Sequence, residues 1–209
     1  MTSIPQAPSK SCTKIVPNYH SITMPFKRGL TAHWLDGQCE NLSTLSEPLS
    51  DWLFDSASLT KRLVNHSDHF EVIVLNQSQS QLSAQERELF ASENIECREV
   101  LLVCDEQAQV YARTLIPRET LNHANKQLAT LGNTSLGEIL FSDPSMRRST
   151  IEVCQFNDLS PLAMMSQQLL LPSQQTIWGR RSMFYLQDLP LCVVECFLPG
   201  SYAYSKNLL

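Results

Sequence analysis

The chain has 209 residues, with 16 Lys and Arg against 21 Asp and Glu, a net charge of −5 and 43% hydrophobic residues. That length buries roughly 70% of the surface an unfolded chain exposes, enough for one domain held without disulfides or a metal. The acidic balance argues against a nucleic-acid partner, which is bound by neutralising phosphates. Apolar runs such as 162–165 and 191–194 fall far short of the roughly 20 residues that cross a bilayer. Residues 1–30 carry Pro5, Pro8, Pro17 and Pro25 and no continuous apolar stretch of the kind a secretory leader has. No integral membrane segment and a cytoplasmic location are therefore expected.

Residues 1–30, rich in Pro, Ser and Thr, read as an extended or mobile arm, and 31–209 as a single domain. From Leu49 the spacing of Leu49, Trp52, Leu53 and Phe54 is helical, and Ser58 caps a second short helix carrying Leu59 and Leu63. Residues 70–75 (FEVIVL) are β-branched and apolar, a strand. Ser83 with Glu86 has the spacing of a capping box. The runs 96–104 and 108–115, joined by Asp105-Glu106-Gln107, form a hairpin. Pro117 opens a helix that passes through Leu121 and Leu128 and stops at Gly132, and Ser135 with Glu138 opens another. Strands follow at 151–156, 182–186 and 191–198, the last two joined around Gln187-Asp188-Leu189-Pro190. The class is α+β: an antiparallel sheet with helices gathered on one side. Residues 157–176, a 20-residue connection between strands, are either a partly helical loop packed on the body or a lid.

Seven cysteines, an odd number with no CxxC pair, read as reduced buried thiols. The five histidines are not spaced with them as metal ligands, so no metal is expected. No phosphate-binding, nucleophile-elbow or zinc-peptidase motif is present either. What stands out instead is Glu195, the only side chain charged at neutral pH between Asp188 and Lys206, on a strand face shared with Val193 and Phe197. A carboxyl buried there must pair with a cation or stay protonated, and a plain Glu–Arg pair is one outcome. Arg98 poses the mirror problem, since it shares a face with Val100, Leu102 and Cys104. An inward guanidinium requires an anion, either Glu195 or an acidic small molecule. Behind Ser58 and Ser135, Leu59 and Leu136 begin helices whose first N–H groups lack intrahelical partners; taken with Arg98, they make an anion pocket built largely from backbone.

In chain order, DWLFDSASLTKRL (51–63), REVLLVCDEQAQVYARTLIP (98–117), LGNTSLGEILF (131–141) and WGRRSMFYLQDLPLCVVECFLP (178–199) are spread along residues 50–199. In these segments and their order the chain resembles the chorismate pyruvate-lyases, bacterial enzymes that make 4-hydroxybenzoate for ubiquinone. The resemblance implies a monomeric, cofactor-independent lyase with chorismate as substrate and 4-hydroxybenzoate and pyruvate as products, in which helical flaps cover an internal pocket. It implies Arg98 and Glu195 as the catalytic pair and polar ligands of that pocket, with Leu59 and Leu136 contributing through their backbones. It also places Arg113, of ARTLIP, near the pocket mouth. Leu59 stands where the family often has Met, a change that a backbone contact tolerates. Arg180 and Arg181 of WGRRS either favour an acidic ligand or serve as structural charges.

Two rivals remain. The fold also resembles the effector-binding domains of some bacterial transcription regulators, but residues 1–48 are too short and Pro-rich for their helix-turn-helix, with only Lys10, Lys14, Lys27 and Arg28 as cations. A related chorismatase would differ in its aromatic product.

Overall fold

A computed structural model of the chain describes residues 17–22, 29–39, 42, 45–79, 81–123, 131–172 and 175–205. The strands β1 (Leu35–Asp36), β2 (Phe70–Gln79), β3 (Ile95–Cys104), β4 (Gln107–Pro117), β5 (Arg147–Arg148), β6 (Glu152–Phe156), β7 (Ile177–Leu186) and β8 (Leu189–Phe197) form one antiparallel sheet. Its order is β1-β6-β7-β8-β4-β3-β2, with β5 paired to β7. The middle strands β3 and β4 are buried along almost their whole length, which their near-continuous apolar runs anticipate. The edges are short in β1 and polar at the end of β2, where Asn76-Gln77-Ser78-Gln79 offers little to a foreign strand.

Both expected hairpins form, with turns tighter than the sequence indicates. Asp105-Glu106 and Gln187-Asp188 all adopt positive φ, between 49° and 67°. Cys104 already pairs with Gln107, and Leu186 with Leu189. Two left-handed residues match the twist of the flanking strands, so a two-residue turn suffices. Two residues further on, the β3–β4 register slips: Val103 pairs with Ala108, but Leu102 pairs with Val110. Gln109 is the extra residue, a bulge fixed by Tyr202 N–H donating to Gln109 Oε1 at 2.9 Å.

Helices α1 (Glu47–Phe54) and α2 (Leu59–Asn65) lay Leu49, Trp52, Leu53, Leu59 and Leu63 on Val72, Val100, Leu102 and Phe197. A short helix α4 (Arg118–His123) follows β4, and α5 (Leu136–Ser142) sets Leu136 and Leu140 against Ile116, Phe184 and Val193 on the same side of the sheet. Expecting helices on one side is correct for these and needs amendment for two others. Leu82, beside α3 (Ala84–Glu88), and Leu162, Met165 and Leu169, on or beside α6 (Pro161–Gln168), pack on the reverse face with Leu101, Val103, Tyr111, Leu115 and Val194. The region 157–176 is thus built around α6, capped by Ser160 and docked on the reverse face.

Ser83 and Glu86 form the expected capping box. Ser135 does not cap α5 with its side chain, because its hydroxyl is engaged elsewhere. Residues 124–130 of the helix expected up to Gly132, most of the arm (1–16 and 23–28) and Cys12 lie outside the described residues. Within 1–30, Tyr19 is buried in the reverse-face core, its hydroxyl donating to Glu106 O at 2.7 Å. Cys97, Cys104, Cys154, Cys192 and Cys196 are buried and Cys39 is exposed.

Candidate active site

Strand alternation sends one residue in two toward α1, α2 and α5. On that face β3 presents Arg98, Val100 and Leu102, β4 Ala112 and Thr114, β8 Val193 and Glu195, and β7 Arg180 and Phe184. With the starts of α2 and α5 as a roof, these residues line one concave pocket. Leu59, Thr60, Ser135, Leu136, Gly137, Leu140 and Phe141 line the roof. The two helix starts meet there: Thr60 Oγ1 and Ser135 Oγ are 2.5 Å apart in a hydrogen bond. Gly137 allows the approach, since a Cβ would stand 3.1 Å from Thr60 Oγ1.

Arg98 is 3% exposed. Its Nη1 donates to Gln77 Oε1 at 3.0 Å and to Gly132 O at 2.9 Å, and its Nη2 to Thr134 O at 3.2 Å. The guanidinium therefore also ties down the loop that leads into α5. Burial pulls its pKa below the usual arginine value, and among the described residues no carboxylate pairs with it. Glu195 does not meet Arg98 directly; it accepts from Arg180 Nε at 2.7 Å. Arg180, 1% exposed, turns its Nη1 to the end of α1, donating to Trp52 O at 2.9 Å, Leu53 O at 3.3 Å and Asp55 O at 2.8 Å. These are the carbonyls that a helix end leaves without partners. Glu195 is thus both a member of an ion pair and a wall of the pocket.

The fourth charged group of the pocket, Arg148, carries no periodic signal in the sequence. It sits on the two-residue strand β5, between Pro144 and the 3.0 Å hydrogen bond of its Nε to Ser182 Oγ. The motif WGRRS divides by alternation: Arg180 faces the pocket, whereas Arg181 points to the other side, paired with Glu152 and 4.8 Å over the Trp34 ring.

Arg113 requires a correction, because it does not line the pocket. It lies fully buried on the reverse face, its Nε donating to Glu86 Oε1 at 2.7 Å and its Nη1 to Glu99 Oε1 at 2.8 Å. Tyr111 donates its hydroxyl to the same Glu99 oxygen at 2.6 Å; burial, followed by that carboxylate, pushes the phenol well above its usual pKa. The cause of the misplacement is the bulge at Gln109. Without it Arg98 would face Arg113 across the strands; with it Arg98 pairs with Thr114, and Arg113 with Glu99. Nor do the described residues of the region 157–176 line the pocket, which α2 and α5 cover.

Among the described residues no group of three or more His, Cys, Asp or Glu is placed to hold a metal ion. The pocket offers three guanidinium groups, one carboxyl and an otherwise largely apolar lining, an arrangement that grips acids and orients them.

Comparison with known proteins agrees with this chemistry. The family model for chorismate lyase matches residues 30–209. A probable chorismate pyruvate-lyase of Pseudoalteromonas translucida is 41% identical over 186 residues, covering 88% of this chain and 99% of the relative. One of Psychromonas ingrahamii is 44% identical over 168 residues, covering 78% and 88%. Among solved structures, the C-terminal domain of PhnF is similar at a TM-score of 0.50 and 15% identity, over 70% of this chain and 94% of that one, a likeness of fold alone. With a match running from Leu30 to the last residue and relatives aligned over nearly their full length, the chain belongs to the chorismate lyase family.

Proposed function

We propose that the protein converts chorismate to 4-hydroxybenzoate and pyruvate, providing the aromatic ring for ubiquinone, as a cofactor-independent, monomeric, cytoplasmic enzyme. The observation that carries this reading is the placement of Arg98 and Glu195 on separate strands around one largely apolar pocket, roofed by the starts of two helices. Arg98 binds the ring carboxylate beneath Leu136, and Glu195 accepts a hydrogen bond from the ring hydroxyl. Leu59 closes the roof from the side of α2.

In the reaction the C–O bond to the enolpyruvyl group breaks. The hydrogen on the neighbouring, hydroxyl-bearing ring carbon leaves, and the enolpyruvyl carbon gains one to become the methyl group of pyruvate. All atoms of chorismate are then accounted for in the two products, and aromatisation drives the step. The chain's part is to hold the ether where that transfer is geometrically close; orientation of this kind is worth roughly 7–11 kcal/mol. Arg180 keeps Glu195 aimed by fixing one of its oxygens against the end of α1.

Purified protein mixed with chorismate and no additive is expected to release pyruvate and 4-hydroxybenzoate in equal amounts. Substrate binding without pyruvate would favour a non-catalytic acid-binding module, and a different aromatic product would favour a related chorismatase. An enclosed pocket that fits the substrate ring also fits the product ring, and the roof must part for either to leave. Added 4-hydroxybenzoate is therefore expected to inhibit at concentrations comparable to that of the enzyme, and turnover unaffected by it would count against product retention.

A further inference from the structure

Arg148 is a pocket cation that no part of the account so far employs. Its Nε donates to Ser182 Oγ at 3.0 Å and its Nη1 to Ser56 O at 3.3 Å and Asp55 O at 3.5 Å, and the guanidinium lies 5.1 Å over the Phe184 ring. All of these partners are neutral. Among the described residues no carboxylate forms an ion pair with it, because the two acids near enough to be felt are engaged elsewhere: Glu195 by Arg180 and Asp55 by Arg62. Burial, then the proximity of Arg180, lowers its pKa, the signature of a cation held where its charge is poorly compensated.

The charges lining the pocket are Arg98, Arg148 and Arg180 against Glu195. One guanidinium cancels Glu195, and the remainder exceeds what a single carboxylate neutralises. The two uncompensated arginines also stand apart. Arg98 is on β3, and Arg148 reaches Ser182 on β7; the row Arg98–Thr114–Val193–Ser182 runs directly across the sheet. Three strand spacings separate its ends, roughly 14 Å. That leaves room between the two strands for a ring bearing one carboxylate directly and a second through an ether on the carbon meta to it.

We infer that Arg148 binds the carboxylate of the enolpyruvyl side chain, making the pocket selective for a dianion over the monoanionic aromatic product. The inference rests on the proposed reaction and assigns a ligand to a group that the reaction alone does not place. It also gives substrate an advantage over product: chorismate engages both arginines, whereas 4-hydroxybenzoate engages Arg98 alone.

The test compares Arg148→Gln with the wild type in two measurements. In steady-state kinetics, KM for chorismate is expected to rise about 10- to 100-fold, in keeping with the loss of a charge-assisted contact, while the dissociation constant of 4-hydroxybenzoate stays within about two-fold; Arg148→Lys is expected to recover part of the loss. In calorimetry, the wild type is expected to bind 3-(carboxymethoxy)-4-hydroxybenzoate at least about 10-fold more tightly than 4-hydroxy-3-methoxybenzoate, and Arg148→Gln to lose that preference. An unchanged KM, or an equal loss for chorismate and 4-hydroxybenzoate, overturns the assignment. So does a wild-type protein indifferent to the second carboxylate, a result that decides the question even if Arg148→Gln does not fold. If the wild type yields no pyruvate from chorismate, the proposed reaction fails, and the calorimetry still tests Arg148 by itself.

Discussion

Replacing Arg98 by alanine is expected to lower kcat/KM for chorismate by about 10²- to 10⁴-fold while leaving the protein folded. The size follows from what the guanidinium does. A charge-assisted hydrogen bond contributes about 1.5–3 kcal/mol, and a planar fork can offer a carboxylate two of them. Arg98 also fixes Gly132 O and Thr134 O, so its loss loosens the loop that carries Ser135 and Leu136 into the roof. Arg98→Lys is expected to restore little, because a single ammonium cannot reach Gln77, the loop and a ligand at once. Stability should change by only about 1 kcal/mol, since removing this buried cation strands no carboxylate. Steady-state kinetics combined with thermal unfolding checks both halves. Activity within about ten-fold of the wild type in folded Arg98→Ala would remove the residue from the ligand site.

The opposite pattern is expected for Arg113→Ala: a loss of about 3–5 kcal/mol of stability, seen as a fall in Tm of very roughly 6–20 °C for a chain of this size, or failure to fold. Removing Arg113 leaves Glu86, Glu99 and the hydroxyl of Tyr111 packed together in the reverse-face core with no cation among them. Glu86 further holds the N-terminus of α3 through Ser83 N–H at 2.8 Å, so the disturbance reaches the capping box. The triple variant Arg113→Met with Glu86→Gln and Glu99→Gln is expected to recover part of the loss, because a cluster emptied of charge costs less than half of one. KM for chorismate in whatever folds should stay near the wild-type value. A variant as stable as the wild type but unable to turn over chorismate would return Arg113 to the pocket. The two arginines lie on neighbouring strands, and their predicted phenotypes differ because one is compensated by protein and the other by ligand.

How far the sequence discloses this can be followed along β3 and β4. The alternation that puts Arg98 with Val100 and Leu102, and Glu195 with Val193 and Phe197, depends on strand geometry within one strand, and it holds. Relations between strands depend on register, and register depends on a bulge. Gln109 reads in the sequence as one more strand residue, yet it moves Arg113 to the opposite face. Motif matching identifies Arg113 without showing which way it points. Arg148 escapes for a related reason: a two-residue strand has no period to detect, and its place beside Ser182 comes from pairing with β7. Ser135 looks like a side-chain cap because of Glu138 three residues on, but its hydroxyl instead bonds Thr60, 75 residues away in the chain. The region 157–176 has the apolar spacing of a docked helix, and only the tertiary fold decides which side of the sheet α6 occupies.

The hydroxyl pair that joins the two roof helices has a bearing on the pace of turnover. Thr60 and Ser135 are uncharged, and a neutral hydrogen bond of that kind is worth only about 1 kcal/mol once water can replace either partner. A hatch fastened this lightly swings at the expense of ordinary thermal motion. An aromatic acid inside would then be detained less by the door than by the salt-like grip on its carboxylate, and slow egress would belong to the guanidinium beneath the latch.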